Sequence, residues 1–312
     1  MDISVIIPVF NEEKNVKPLY EQILDSMERM GVSFEIIFID DGSIDNTFKI
    51  LQDIHNKDKR LKVIRFRKNF GQTAAISAGF DYSKGNIIIT LDGDLQNDPG
   101  DMPLLVEKLN EGYDIVSGWR YKRKDPFFRR RLPSMIANRL ISFITNVKLH
   151  DYGCSLKAFK KDVIKNIRLY GEMHRFIPAV ASWMGISVAE VKVNHRPREE
   201  GRSKYGLSRT IRVILDLITV KFLLSYSTRP IQIFGLIGII SSAIGGIILF
   251  YLSFIRIILQ EPIGGRPLLL LGILLFFIGV QFISMGLLAE MQSRTYHETQ
   301  DKPIYVVKEI LE

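Results

Sequence analysis

Ile87-Ile88-Ile89-Thr90-Leu91-Asp92-Gly93-Asp94-Leu95-Gln96 places an apolar run of strand length directly before two carboxylates one residue apart. The β-branched residues suit a buried strand. The acids do not, because charges at the edge of a buried sheet must be paired, hydrated or metal-bound. Asp92-Gly93-Asp94 therefore has two readings. Asp and Gly are turn residues and could simply reverse the chain, or the carboxylates could hold a divalent cation against a diphosphate.

Outward from this stretch, apolar runs rich in β-branched residues alternate with helix-like segments. Ile3–Val9, Glu35–Ile39, Lys62–Phe66 and Asn86–Leu91 read as strands; about Asn15 to Met30, Thr47–Asn56 and Thr73–Tyr82 read as the helices between them. Strand, helix, strand at this spacing predicts an α/β domain with a mostly parallel sheet, Rossmann-like, with helices on both faces. Ligands of such sheets bind beyond the carboxyl ends of the strands. Three strand exits carry acids: Pro8-Val9-Phe10-Asn11-Glu12, Asp40-Asp41-Gly42-Ser43 and Asp92-Gly93-Asp94. Singly, each could be a turn or a helix cap; together they are expected to face one crevice, which favours the cation reading.

After the sheet the chain turns basic. Arg120, Lys122, Arg123, Lys124, Arg129, Arg130, Arg131 and Arg139 fall within about twenty residues against Asp125 alone. The segment reads as a solvated basic loop or as a site for phosphate or anionic lipid. No nucleic-acid motif accompanies it, so a nucleic-acid partner is not expected. His174-Arg175 and His195 read as structural hydrogen-bonding residues, no two histidines having metal spacing.

The net charge is +8. Ile231–Ile255 and Pro267–Ala289 lack charged residues, and each is long enough to cross a hydrocarbon core of about 30 Å as a helix. Leu207–Tyr226 has helical periodicity with Arg209, Arg212, Asp216 and Thr219 on one stripe, as for a helix in the membrane interface or packed on the soluble domain. The expected organisation is a soluble domain over residues 1–206, an amphipathic helix over 207–229, a two-helix hairpin over 230–290 and a tail over 291–312. Arg209, Arg212, Lys221 and Arg229 before the first span, and Arg294, Lys302 and Lys308 after the second, place the large domain and the tail on the cytoplasmic side of a cell inner membrane. Met1-Asp2 leads straight into a strand, so no secretory leader is expected. Cys154 stands alone, in keeping with a reducing compartment. Pro303-Ile304-Tyr305-Val306-Val307 has strand character and is expected to add to a sheet edge, a homo-oligomer being one way to supply that edge.

Val5-Ile-Ile-Pro-Val-Phe-Asn-Glu-Glu13, Ile39-Asp-Asp-Gly-Ser43 and Leu91-Asp-Gly-Asp-Leu-Gln-Asn-Asp-Pro99, in that order, resemble family 2 glycosyltransferases of the GT-A fold. With the two terminal spans, His195-Arg196-Pro197-Arg198 and Gly201-Arg202-Ser203-Lys204-Tyr205, the chain looks like the polyprenyl-phosphate glycosyltransferases, over nearly its whole length. That resemblance implies that Pro8, Phe10, Glu12, Asp41, Asp92 and Gly93 hold the donor, a nucleotide sugar. It implies Mg²⁺ or Mn²⁺ on Asp92, Asp94 and Gln96. Arg120, Arg130 and Ser134 would take the lipid phosphate; Arg198 and Lys204 suit that phosphate or the donor diphosphate, and Ser203 could join them or equally cap the next helix. Asp94, Asp151 and Arg120 would be catalytic, with Asp151 in a turn that reads Tyr152-Gly153-Cys154 in this chain.

The implied reaction is inverting transfer of a hexose, UDP-glucose being the expected donor, to undecaprenyl phosphate. A phosphate monoester, with its second pKa near about 6, is largely ionised at neutral pH and needs no strong general base. Asp151 is therefore expected to position a substrate, and the arginines to orient the nucleophile. Two rivals remain. A processive polysaccharide synthase would carry Gln-x-x-Arg-Trp, and neither Trp119 nor Trp183 follows an Arg; a non-catalytic nucleotide-sugar scaffold has no motif of its own.

Overall fold

The computed structural model describes residues 1–121, 138, 139, 142, 147–167, 169, 173–181, 185–196, 231–299 and 304–312. The chain divides into two compact units, split between Val220 and Lys221 and again between Lys302 and Pro303.

In the first unit the strands are β1 (Ile3–Val9), β2 (Phe34–Asp40), β3 (Leu61–Phe66), β4 (Ile87–Thr90), β5 (Ile115–Arg120), β6 (Lys157–Lys160), β7 (Val188–Val193) and β8 (Val307–Leu311). They form one sheet in the order β7-β5-β6-β4-β1-β2-β3-β8. β1 runs parallel to β2 and β4, β2 to β3, and β5 to β7. β6 is antiparallel to both its neighbours, and β8 is antiparallel to β3. The sheet is thus mixed and wider than the four mostly parallel strands expected. Periodicity could not see β6, whose four residues are too short a run to separate from helix or turn.

This direction pattern positions the site. Because β6 reverses between β4 and β5, those two strands point the same way, and the carboxyl ends of β1, β2, β3, β4, β5 and β7 share one edge. The start of β6 lies there too, with Lys157 paired to Thr90 on one side and Ser117 on the other.

Helices α1 (Val16–Met30), α2 (Thr47–Lys57), α3 (Gln72–Tyr82) and α4 (Met102–Asn110) connect the strands, followed by the short α5 (Lys161–Lys165) and α6 (Ile177–Ala181). Apolar residues at helical spacing, Val16, Leu19, Ile23 and Met27, turn one face of α1 into the core, where they join Val5, Ile7, Ile36 and Phe38 of the sheet. Gly31, left-handed at φ 66°, ends that helix, its N–H bonding the Glu28 carbonyl.

The tail strand forms at Val307–Leu311, later than its expected start, and pairs with β3 of its own chain. Tyr305 stacks on Phe66 at 5.1 Å and donates its hydroxyl to Asp81 at 2.9 Å. An edge that would otherwise invite another chain is covered.

The second unit is a helical hairpin of α7 (Ile231–Ile258) and α8 (Pro267–Thr299). Phe234–Ile258 and Pro267–Ala289 within them are long and apolar enough to cross a membrane. The helices meet along small residues: a Cβ on Gly238 would lie 2.6 Å from the Gly279 carbonyl, and one on Gly245 would lie 2.5 Å from the Phe276 nitrogen. Such backbone contact replaces hydrophobic driving force where the surroundings are apolar. Large side chains point outward, Phe250 being 76% and Leu270 72% exposed. The expected amphipathic helix at 207–229 lies outside the described residues.

Candidate active site

The acidic strand exits do converge, since β4, β1 and β2 are adjacent and parallel. At the β4 exit, Gln72 Nε2, from the start of α3, donates to Asp92 Oδ1 at 2.6 Å. Gly93 is required by contact: a Cβ there would meet Val9 Cγ1 at 2.6 Å. Asp94 Oδ1 accepts the Gln96 N–H at 3.2 Å, closing a small turn over Leu95. Leu95 sits at φ 60°, which costs a non-glycine residue about 1–2 kcal/mol. Three contacts just downstream offset that cost. The Gln96 carbonyl accepts the Arg196 N–H at 2.9 Å, Asn97 bridges His195, and Asn97 Nδ2 donates to Ser155 Oγ at 2.7 Å.

At the β2 exit, Asp41 accepts the N–H groups of Phe70 at 2.7 Å and Gly71 at 2.9 Å, one on each carboxylate oxygen. Burial pushes its pKa up to about 6, the two backbone bonds opposing the rise and Asp40 adding to it. Gly42, at φ 75°, lets the 68–69 backbone pass so close that a Cβ would lie 2.5 Å from the Lys68 carbonyl carbon. At the β1 exit Pro8 and Phe10 are half-buried, and Glu12 accepts Asn15 Nδ2 at 2.6 Å. The backbone N–H groups of Asn11 and Glu12 are held by Ser43 and Thr47, so the first two exits are laced together.

At the β5 exit stands a pair. Arg120 Nε donates to Asp151 Oδ2 at 2.7 Å and Nη2 to Oδ1 at 2.8 Å. Asp151 is 2% exposed and also accepts Gly153 N–H at 3.2 Å. Burial works to lower the Arg120 pKa, but the bonds and charge of Asp151, with smaller contributions including Asp92, outweigh it and hold the guanidinium charged.

Residues 4–168 match the Glycosyl transferase family 2 domain. The chain belongs to glycosyltransferase family 2. A dodecaprenyl-phosphate galacturonate synthase of Rhizobium johnstonii is 46% identical over 100% of this chain and 94% of its own length. An undecaprenyl-phosphate 4-deoxy-4-formamido-L-arabinose transferase of Edwardsiella ictaluri is 36% identical over 99% and 94%. Among solved structures, glucosyl-3-phosphoglycerate synthase from Mycobacterium tuberculosis in complex with Mn²⁺, UDP and glucosyl-3-phosphoglycerate superposes with a TM-score of 0.53 at 18% identity, covering 72% of this chain and 79% of that one. That likeness shows the GT-A fold, and this family 2 glycosyltransferase has it.

Of the residues singled out from sequence, the glycosyltransferase brings Pro8, Phe10, Glu12, Asp41, Asp92, Gly93, Asp94, Gln96, Arg120 and Asp151 to one sheet edge or the turns beyond it. Arg130, Ser134, Arg198, Ser203 and Lys204 lie outside the described residues. His174, expected as a structural hydrogen-bonding residue, has its Nδ1 2.7 Å from Thr73 Oγ1. Sequence reasoning missed Gln72, which steadies Asp92. It missed Lys157 as well, buried at 3% exposure in β6. No motif marked either; Gln72 reaches Asp92 from the start of α3, and Lys157 comes to that edge at the start of β6.

Proposed function

We propose that this chain transfers a glycosyl unit from a nucleotide-diphosphate sugar to the phosphate of a membrane polyprenol. The observation that carries the reading is the Arg120–Asp151 pair at the same sheet edge as Asp92 and Asp94: a fixed guanidinium beside a carboxylate pair suits two phosphorylated substrates. Full-length similarity to enzymes named for dodecaprenyl phosphate and undecaprenyl phosphate supports the acceptor class. The two apolar helices support a membrane anchor, with the catalytic unit and tail cytoplasmic by the positive-inside argument.

Asp92 and Asp94 offer hard oxygen donors, and among the described residues no three His, Cys, Asp or Glu side chains gather into a cage. That donor set fits Mg²⁺ or Mn²⁺, which take one or two carboxylates and complete their shell from a diphosphate and water. Bound there, the cation would neutralise charge on the departing nucleoside diphosphate. Gln72 fixes one Asp92 oxygen and so aims the carboxylate. Asp41, Phe10, Glu12 and Pro8 frame the nucleoside. Arg120 commits Nε and Nη2 to Asp151, which leaves Nη1 for the acceptor phosphate. Arg130 and Ser134 join Arg120 there by the family resemblance, and Arg198, Ser203 and Lys204 carry the donor groups that suit a phosphate. Asp151, with both oxygens engaged, orients Arg120 and takes no proton; the acceptor arrives ionised.

The relatives named for galacturonate and 4-deoxy-4-formamido-L-arabinose favour a sugar bearing a charged or polar substituent over the UDP-glucose first expected. The test is incubation of purified protein with undecaprenyl phosphate, Mg²⁺ or Mn²⁺ and a panel of UDP- and GDP-sugars, with the lipid product identified by mass. A polyprenyl phosphate carrying one sugar supports the reading; a polymer would support a processive synthase, and no product with any donor a scaffold.

A further inference from the structure

Lys157 is buried, and its Nζ donates to the backbone carbonyls of Cys154 and Tyr152, the latter at 3.4 Å. Among the described residues its hydrogen bonds go to these two carbonyls, and no carboxylate forms an ion pair with it. Burial lowers its pKa, with Cys154, Asp151 and Asp92 acting to raise it and Arg120 to lower it. A buried ammonium is costly, and a chain that needed only to fill this volume would do so with an apolar residue.

What the ammonium holds is the turn that carries Asp151. Lys157 stands in a cross-strand row with Thr90 and Ser117. Thr90 Oγ1 donates to the Ser155 carbonyl at 2.8 Å, so the carbonyls of residues 152, 154 and 155 are all gripped from this row. On the far side, the Asp151 N–H donates to Glu190 Oε1 of β7 at 3.0 Å. The turn is fastened from both sides; its Asp151 carboxylate reaches Arg120, and its Ser155 Oγ accepts from Asn97 Nδ2.

We propose that Lys157 is a positioning residue of the transfer reaction, holding the 151–155 turn so that Asp151 fixes the Arg120 guanidinium against the acceptor phosphate. The inference rests on the proposed role of the Arg120–Asp151 pair. It concerns the Arg120 side of the site, because the hydrogen bonds of Lys157 go to the turn that carries Asp151, whereas those of Asp41 go to Phe70 and Gly71. Misplacement of a reacting group by about 1 Å is enough to cost about 100-fold in rate.

The test uses the full chain in detergent micelles, with wild type, Lys157→Met and Lys157→Gln. Turnover is measured with undecaprenyl phosphate and the donor selected by the panel, and UDP affinity with Mn²⁺ by calorimetry. Lys157→Met, of similar volume and without donors, should lose about 10- to 100-fold in kcat while UDP affinity and donor KM stay within about threefold. Lys157→Gln, which keeps a donor for one carbonyl, should fall between. Wild-type kcat in Lys157→Met overturns the proposal. So does a parallel loss of UDP binding and turnover in both variants, which would make the lysine a general structural residue. Failure of the wild type with every donor would instead bring down the glycosyl-transfer reading itself.

Discussion

Arg120 and Asp151 meet edge to edge, two parallel hydrogen bonds of 2.7 and 2.8 Å joining residues 31 positions apart in the chain. Both are largely buried, the side chains being 15% and 3% exposed. Removing one partner of a buried pair strands the other, at a cost of about 3–5 kcal/mol. Asp151→Asn and Arg120→Gln should each lower thermal stability and cut kcat by about 100-fold, and the double variant should be less than additive in both. Because the acceptor is already ionised, Asp151→Asn should stay impaired from pH 6 to 8.5. Recovery at the alkaline end along one titration curve would identify Asp151 as a proton acceptor.

Asp94 is the second target. Its carboxylate sits at the strand exit in a turn closed by Gln96, under a Leu95 held at positive φ. Asp94→Ala should reduce kcat by about 100-fold or more while leaving the fold intact, and Mn²⁺ should no longer tighten UDP binding in calorimetry. Metal-enhanced UDP binding in Asp94→Ala would exclude it from the cation site.

The pH dependence of Asp41 has two opposite signs. Its folded-state pKa, raised by burial to about 6 from 3.8, means the folded chain keeps a proton that the unfolded chain has lost between those values. Its contribution to stability is therefore full below about 4 and is lost as pH rises through about 6. Nucleoside binding runs the other way, since only the carboxylate form can accept a base N–H without giving up its own bonds. Donor KM should rise as pH falls through about 6, and the thermal midpoint of wild type relative to Asp41→Asn should rise over the same interval. A KM that does not move between pH 5 and 7.5 would remove Asp41 from the nucleoside site.

Tyr305 ties the stability of the tail to the donor side of the site. It stacks on Phe66, which meets Phe70 edge-on at 5.7 Å, and the Phe70 N–H is a donor to Asp41. Tyr305→Phe loses the bond to Asp81 and should cost about 1 kcal/mol. Tyr305→Ala removes the ring as well and should cost about 3–5 kcal/mol, as for a buried aromatic truncated to alanine. It should also raise donor KM more than it lowers kcat. An unchanged melting temperature for Tyr305→Ala would show that the tail strand does not hold the sheet edge.

The parts of this fold written in local pattern are legible in the sequence. Ile3–Val9 needs no adjustment, and Thr47–Asn56 extends by one residue at its end. The unbroken isoleucine run of β4 marks a buried strand, and the apolar stripe of α1 carries the 3.6 period of a helix. What could not be read is pairing across long separations. β6 is four residues long, and nothing in Lys157-Ala158-Phe159-Lys160 says that it inserts antiparallel between β4 and β5. Yet that insertion brings Arg120 to the edge already occupied by Asp92. In the same way Asp92 and Asp94 were visible as acids at a strand end, whereas Gln72 and Lys157, which act through amide and carbonyl bonds made by the fold, carry no signature.

The mass of the lipid product tests glycosyl transfer to a polyprenyl phosphate most directly. Purified full-length protein should convert undecaprenyl phosphate and one nucleotide sugar of the panel, UDP-galacturonate and UDP-glucose included, to a lipid phosphate heavier by a single sugar residue. Product should vanish with EDTA, return with Mg²⁺ or Mn²⁺, and form at least about 100-fold more slowly with Asp94→Ala. A polymeric product, a product formed equally well by Asp94→Ala, or unmodified lipid with every donor would contradict metal-assisted transfer of one sugar to the lipid phosphate.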